Sequence, residues 1–110
     1  MSFQRLDVYQ RSIQFLALVS EIVEDMPRGH GDRSDQLNRS AESVVRNIAE
    51  GAGRYSRADS ARHYKIARGE AMESAASIDV LKLRKLITVE RYDRGIELLE
   101  AIVAMLSKMV

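Results

Sequence analysis

The sequence has no cysteine, no tryptophan, one proline and only six aromatic residues in 110. Without cysteine, neither a disulfide framework nor a thiolate metal site is possible. The aromatic share of 5% argues against a surface that stacks the bases of single strands. No run approaches the roughly 18–20 consecutive apolar residues of a membrane span, which excludes a membrane helix. Met1-Ser2-Phe3-Gln4-Arg5 is not followed by an apolar stretch and a small-residue cleavage site, so a cytoplasmic location is expected. A dominant charge is also missing. Seventeen basic residues face sixteen acidic ones, a net of +1, and global charge makes no case for nucleic acid.

What remains is a globular balance, 45% hydrophobic and 30% charged, and a length that fits one domain over residues 1–110. Apolar residues recur at helical spacing and nothing alternates over a strand's length. A first helix is expected from about Val8 to Met26, with Asp7 as N-cap and Pro27, Gly29 and Gly31 as its stop. A second spans about Ser34 to Ala52, ended by Gly51 and Gly53. Ser56-Arg57-Ala58-Asp59 has capping-box form and starts a third helix near Arg57 that runs to about Leu86. The fourth begins after Thr88 and runs to about Lys108. Four helices with short connections imply an all-α, antiparallel, up-and-down four-helix bundle.

On a helical wheel the apolar residues of the first and fourth helices each cover roughly 200° of arc, about twice what one core-facing stripe needs. That excess points to self-association, with Phe15, Leu18, Val19 and Ile22 on the first helix and Leu98, Ile102, Met105 and Met109 on the fourth as the expected interface. The middle pair differs. The second helix has a narrow apolar stripe, and the third carries Ala67, Ala71 and Ala75 at four-residue spacing beside Gly69. Glycine inside a helix costs about 1 kcal/mol against alanine, so close packing of the third helix is the expected reason for Gly69.

Beside its stripe the second helix lines up Gln36, Ser40, Ser43, Asn47, Glu50 and Arg54, and the third offers Glu70, Glu73 and Ser77. In an antiparallel pair, Asn47 and Glu50 are placed to meet Arg62, Arg68 or Glu73. The functional reading of Ser43, Asn47, Glu50, Gly51 and Glu73 is a ligand or partner site. The structural reading, adopted here, is a polar network that fixes register and caps the turn between the helices.

The run Ser43-Val44-Val45-Arg46-Asn47-Ile48-Ala49-Glu50-Gly51-Ala52-Gly53-Arg54-Tyr55-Ser56 resembles the signature of a bacterial four-helix-bundle family. Its members were first noted as products of intervening sequences within large-subunit ribosomal RNA genes, and the family includes the accessory variability proteins of diversity-generating retroelements. Phe3, Leu6, Pro27, Gln36-Leu37, Arg39, Ala67, Gly69, Glu73 and Met105-Leu106 also fit, so the similarity spans the chain. Glu70, where members usually have serine, and Ser74, where they have a large apolar residue, depart from it. The resemblance implies a ring-like homo-oligomer, a pentamer, with no catalysis. For the retroelement proteins it also implies a basic surface that contacts nucleic acid and a reverse transcriptase.

Catalytic, metal and cofactor sites find little support. His63 follows Asp59 by one turn without an evident third ligand, and reads as part of a surface pair. Gly51-Ala52-Gly53-Arg54 has neither the Gly-Lys-Ser/Thr ending nor the preceding strand of a phosphate loop. Glu50 and Glu73 have no nucleophile or base beside them. Arg46, Arg54, Arg57, Arg62 and Lys65 are the nucleic-acid candidates, in a stretch from Arg28 to Arg68 that carries a local charge of +4. Against one patch, Arg57 and Arg68 read as lying on different faces, and Arg62 as paired with Asp59. The expected function is therefore a non-catalytic homo-oligomer without cofactor that binds RNA or DNA as an accessory factor. The alternative is a structural or protein-docking oligomer with no nucleic-acid contact. Its partners are then itself and another protein, and no membrane.

Overall fold

The computed structural model describes residues 1–110. A short 3-10 turn, Ser2–Arg5, leads into four helices: α1 (Asp7–Glu24), α2 (Gly31–Ala52), α3 (Arg57–Leu83) and α4 (Val89–Ser107). They pack as an up-and-down bundle of 44 × 22 × 22 Å. Each helix touches its two neighbours in the order α1, α2, α3, α4, α1, and the diagonal pairs do not meet. No helix is long and apolar enough to cross a membrane.

Local chemistry sets the helix ends. Ser56 Oγ accepts from the Asp59 N–H at 3.1 Å and Thr88 Oγ1 from the Arg91 N–H at 3.2 Å, so both residues cap as the sequence suggests. Asp7 lies inside the first turn of α1 instead, with Leu6 at the cap. There its carboxylate complements the positive end of the helix dipole and pairs with Arg11 at 3.3 Å. At the other end α1 stops at Glu24, and α2 starts three residues earlier than its Ser34 signal. Helix α3 ends at Leu83 because Lys85 turns left-handed, φ 59°. The Leu86 N–H then reaches back to Leu81 O at 2.8 Å and the Lys85 N–H to Lys82 O at 3.1 Å, a Schellman closure that folds Leu86 onto the core.

The expected oligomer interface is corrected by the packing. Phe15, Leu18, Val19, Ile22, Leu98 and Ile102 are all buried within the single chain, and Met105 and Met109 are half-buried against the same core. A corner helix of a four-helix bundle borders two neighbours as well as the centre. An apolar arc of 200° is filled by the core residues in the middle and by Tyr9, Leu16, Val23 or Tyr92, Ile96, Val103 on the flanks. The middle of the arc is therefore covered inside the chain and its flanks are covered in part.

Candidate functional site

The seam between α2 and α3 is polar at two levels. Ser40 Oγ donates to Leu37 O at 3.2 Å and accepts from Ser74 Oγ at 2.8 Å, both serines being buried. Two turns on, Asn47 Nδ2 donates to Ser43 O at 2.9 Å and Ser43 Oγ at 3.1 Å. With its amide nitrogen committed there, Asn47 Oδ1 is left to accept, and the His63 Nδ1–H supplies the proton at 3.1 Å. His63 Nε2 in turn accepts from Arg62 at 3.1 Å. One neutral tautomer satisfies every member, but the partners across the seam are Ser74 and His63 rather than the expected Arg62, Arg68 or Glu73.

His63, buried rather than on the surface, is a partner that the motif reading missed. Its signal was present, since His63, Ala67 and Ala71 share four-residue spacing on the inward side of α3. Arg62, drawn to the imidazole, does not pair with Asp59. Glu50 stays on its own helix, held by Arg54 at 2.8 Å, and Arg68 crosses to α4, where its Nε donates to Ser107 Oγ at 2.7 Å.

Gly51 does more than stop a helix. It is buried, still helical, and a Cβ there would lie 2.5 Å from the Tyr64 ring. The glycine lets the ring lie flat on the α2 backbone just below the turn.

Glu70 and Glu73 form a like-charged pair on α3. Burial, then the charge of Glu73 and a hydrogen bond with it, pushes the Glu70 carboxyl above its ordinary value of 4.5. A carboxyl raised in the folded state opposes folding once it ionises, so stability falls as pH rises through the window beginning near that value. Glu70→Gln should therefore raise the urea midpoint at neutral pH, and the gain should vanish below about pH 4.5. An equal gain at pH 4 and pH 7 would rule out charge as its cause. Near Glu73, a groove of about 490 Å³ runs between α2 and α3, lined by Asp32, Arg33, Gln36, Ser77 and Val80 among others. It brings together no three residues of the His, Asp and Glu type able to hold a metal ion.

The outward side of α3 is also apolar. Gly69, Met72, Ala76, Val80 and Leu83 recur at spacings of three and four residues, opposite the buried Ala67, Ala71, Ser74 and Ile78. Met72 is 48% exposed, Val80 42% and Leu83 80%. Gly69 departs from expectation, because a Cβ added there would meet nothing within 4 Å. Its helix-weakening effect is not offset by any close contact inside the chain.

The basic candidates divide. Arg46 pairs with Glu42 at 3.5 Å and Arg54 with Glu50, whereas Arg57, Lys65 and Arg68 form no ion pair. Arg57 and Arg68 do not lie on different faces. Eleven residues of continuous helix are three turns, which puts them about 20° apart. Residues 46–68 hold six Lys or Arg and two Asp or Glu, while the opposite end of the bundle, residues 19–33 and 79–94, balances seven against seven.

No curated protein matches the chain. Among solved structures it is similar to a protein of unknown function from the S23 ribosomal protein family of Bacteroides thetaiotaomicron, determined at 1.70 Å resolution. The two share 26% identity, with 93% of each chain covered and a TM-score of 0.84. The family model described as 23S rRNA-intervening sequence protein matches residues 4–108. An all-helical bundle with this α2–α3 signature, matched over nearly its whole length, belongs to the 23S rRNA-intervening sequence protein family.

Proposed function

We propose that the protein is a non-catalytic assembly module that associates with copies of itself through the outward face of α3. The observation that carries this reading is Gly69, a helix-interior glycine in open space at the head of an exposed apolar stripe. A helix that is apolar on both faces is expected to be covered on both. A second copy suits this face because its flanks carry both signs. Arg62 lies towards one end and Glu73 and Asp79 towards the other, so two α3 helices run antiparallel bring opposite charges together. That contact makes a two-fold pair. In the finer form implied by the resemblance, a ring of five, the same face meets a different face of the next copy.

Light scattering on the wild type and on Gly69→Gln tests the reading. The substitution enters open space and improves helix propensity by up to about 1 kcal/mol, so the single chain should be at least as stable as before. Wild type should have at least twice the mass of the 12.4 kDa chain, and the variant the mass of one chain. A wild type that remains a single chain at working concentrations overturns self-association, and an assembly that survives Gly69→Gln overturns this face.

A second reading is favoured by the charge imbalance at residues 46–68: the assembled protein contacts RNA or DNA as an accessory factor. Several copies repeat the same basic turn, which converts weak phosphate contacts into avidity.

A further inference from the structure

We propose that the α2–α3 turn binds single-stranded nucleic acid, with the Tyr55 ring stacked on an unpaired base and the Arg57, Lys65 and Arg68 side of α3 following the phosphates. This rests on the nucleic-acid reading above and names the form of nucleic acid and the residue that selects it.

Tyr55 is 107% exposed, so its ring touches nothing in the chain. It does not sit on a loose loop. The Gly53 N–H is bonded to Ala49 O at 3.1 Å and to Glu50 O at 3.2 Å on one side, and the Ser56 cap closes onto Asp59 on the other. The turn is thus pinned at both ends and holds a fully exposed aromatic ring out in water. A turn that only had to be soluble would be better served by a short polar residue.

The ring is flanked by Arg54 and Arg57, and α3 continues the positive charge. Arg57, Lys65 and Arg68 fall within about 80° of one helix face and extend over about 17 Å, the length of several nucleotides. None is neutralised by a carboxylate, and the bond to Ser107 fixes Arg68 with its remaining N–H groups free. Of the two acids in residues 46–68, Glu50 is engaged by Arg54, and Asp59 lies on the far side of α3 from this face. A scarcity of aromatics excludes a broad stacking platform. It does not exclude one ring beside a phosphate track, which is the minimal unit of sequence-tolerant single-strand binding. In a duplex the base faces are already stacked, so Tyr55 adds nothing there and only the cations act.

Fluorescence anisotropy with a labelled single-stranded RNA of about 20 nucleotides, and with the same RNA annealed to its complement, tests this on the assembled protein. The wild type should prefer the single strand by about tenfold. Tyr55→Ala should weaken single-strand binding by about tenfold and leave the duplex unchanged, while Tyr55→Phe retains full binding. Arg57→Gln with Lys65→Gln should weaken both probes and lower the salt slope by about two. Wild-type binding that Tyr55→Ala does not alter defeats the stacking role and leaves the nucleic-acid reading standing. No binding of either probe at low salt defeats both. A loss of assembly mass in Tyr55→Ala would assign the ring to a contact between copies and also overturn the proposal.

Discussion

Phe15→Ala is expected to destabilise the single chain by about 3–5 kcal/mol, a large share of the 5–15 kcal/mol that holds an ordinary domain together. Phe15 is completely buried, in contact with the α3 and α4 side of the core near Gly95 and Ile78. Removing the ring forfeits its transfer free energy and leaves a cavity that four constrained helices fill poorly. Urea unfolding followed by circular dichroism, in a Gly69→Gln background so that assembly does not contribute, reads the effect as a shift in midpoint at unchanged slope. Had Phe15 served an interface between copies, truncation would lower the mass of the assembly and leave the isolated chain as stable as before. A midpoint that does not move would restore that placement.

The same residue shows what a helical wheel does and does not reveal. The pattern of α1 and α4 identified which residues avoid water. It carried no information on whether a neighbour from the same chain or from another copy covers them, because both present the same apolar environment. The caps were more legible, since Ser56 and Thr88 act on N–H groups three residues away and need no tertiary contact. Glycines were the least legible. Gly51 and Gly69 both stand in helical sequence, yet one is pressed by an aromatic ring and the other faces open space. Only the three-dimensional neighbours separate a glycine that an internal contact requires from one that faces open space. His63 and Ser74 were recoverable in principle, because each falls on the buried stripe of α3, where a polar side chain must find a partner.

The α2–α3 hairpin thereby joins three properties along one pair of helices. Its inner seam is a satisfied polar network, its outer α3 face is apolar and open, and its turn is basic with a projecting ring. The first makes the other two usable. A seam that slipped by one turn would shift Met72 and Val80 by about 5.4 Å along the bundle and move Tyr55 relative to its end. Rigidity in the seam is what holds the outward face of α3 and the turn at a fixed angle to the core.

Gly51→Ala is the sharpest test of that rigidity. On helix propensity alone the change should stabilise by about 1 kcal/mol, since Gly51 is helical. The new methyl, however, would sit 2.5 to 2.9 Å from three atoms of the Tyr64 ring, well inside van der Waals contact. Tyr64 is only 8% exposed and belongs to the apolar core, so its ring has little room to retreat. Overpacking of this kind costs about 1–3 kcal/mol, and the expected net result is destabilisation despite the better helix former. A double-mutant cycle isolates the cause. In a Tyr64→Leu background, where the ring is gone, Gly51→Ala should lose most of its penalty and approach the gain set by propensity. If the two substitutions instead add independently, the ring is not what requires glycine at position 51, and the close approach of Tyr64 to α2 is not what holds the end of the hairpin in place.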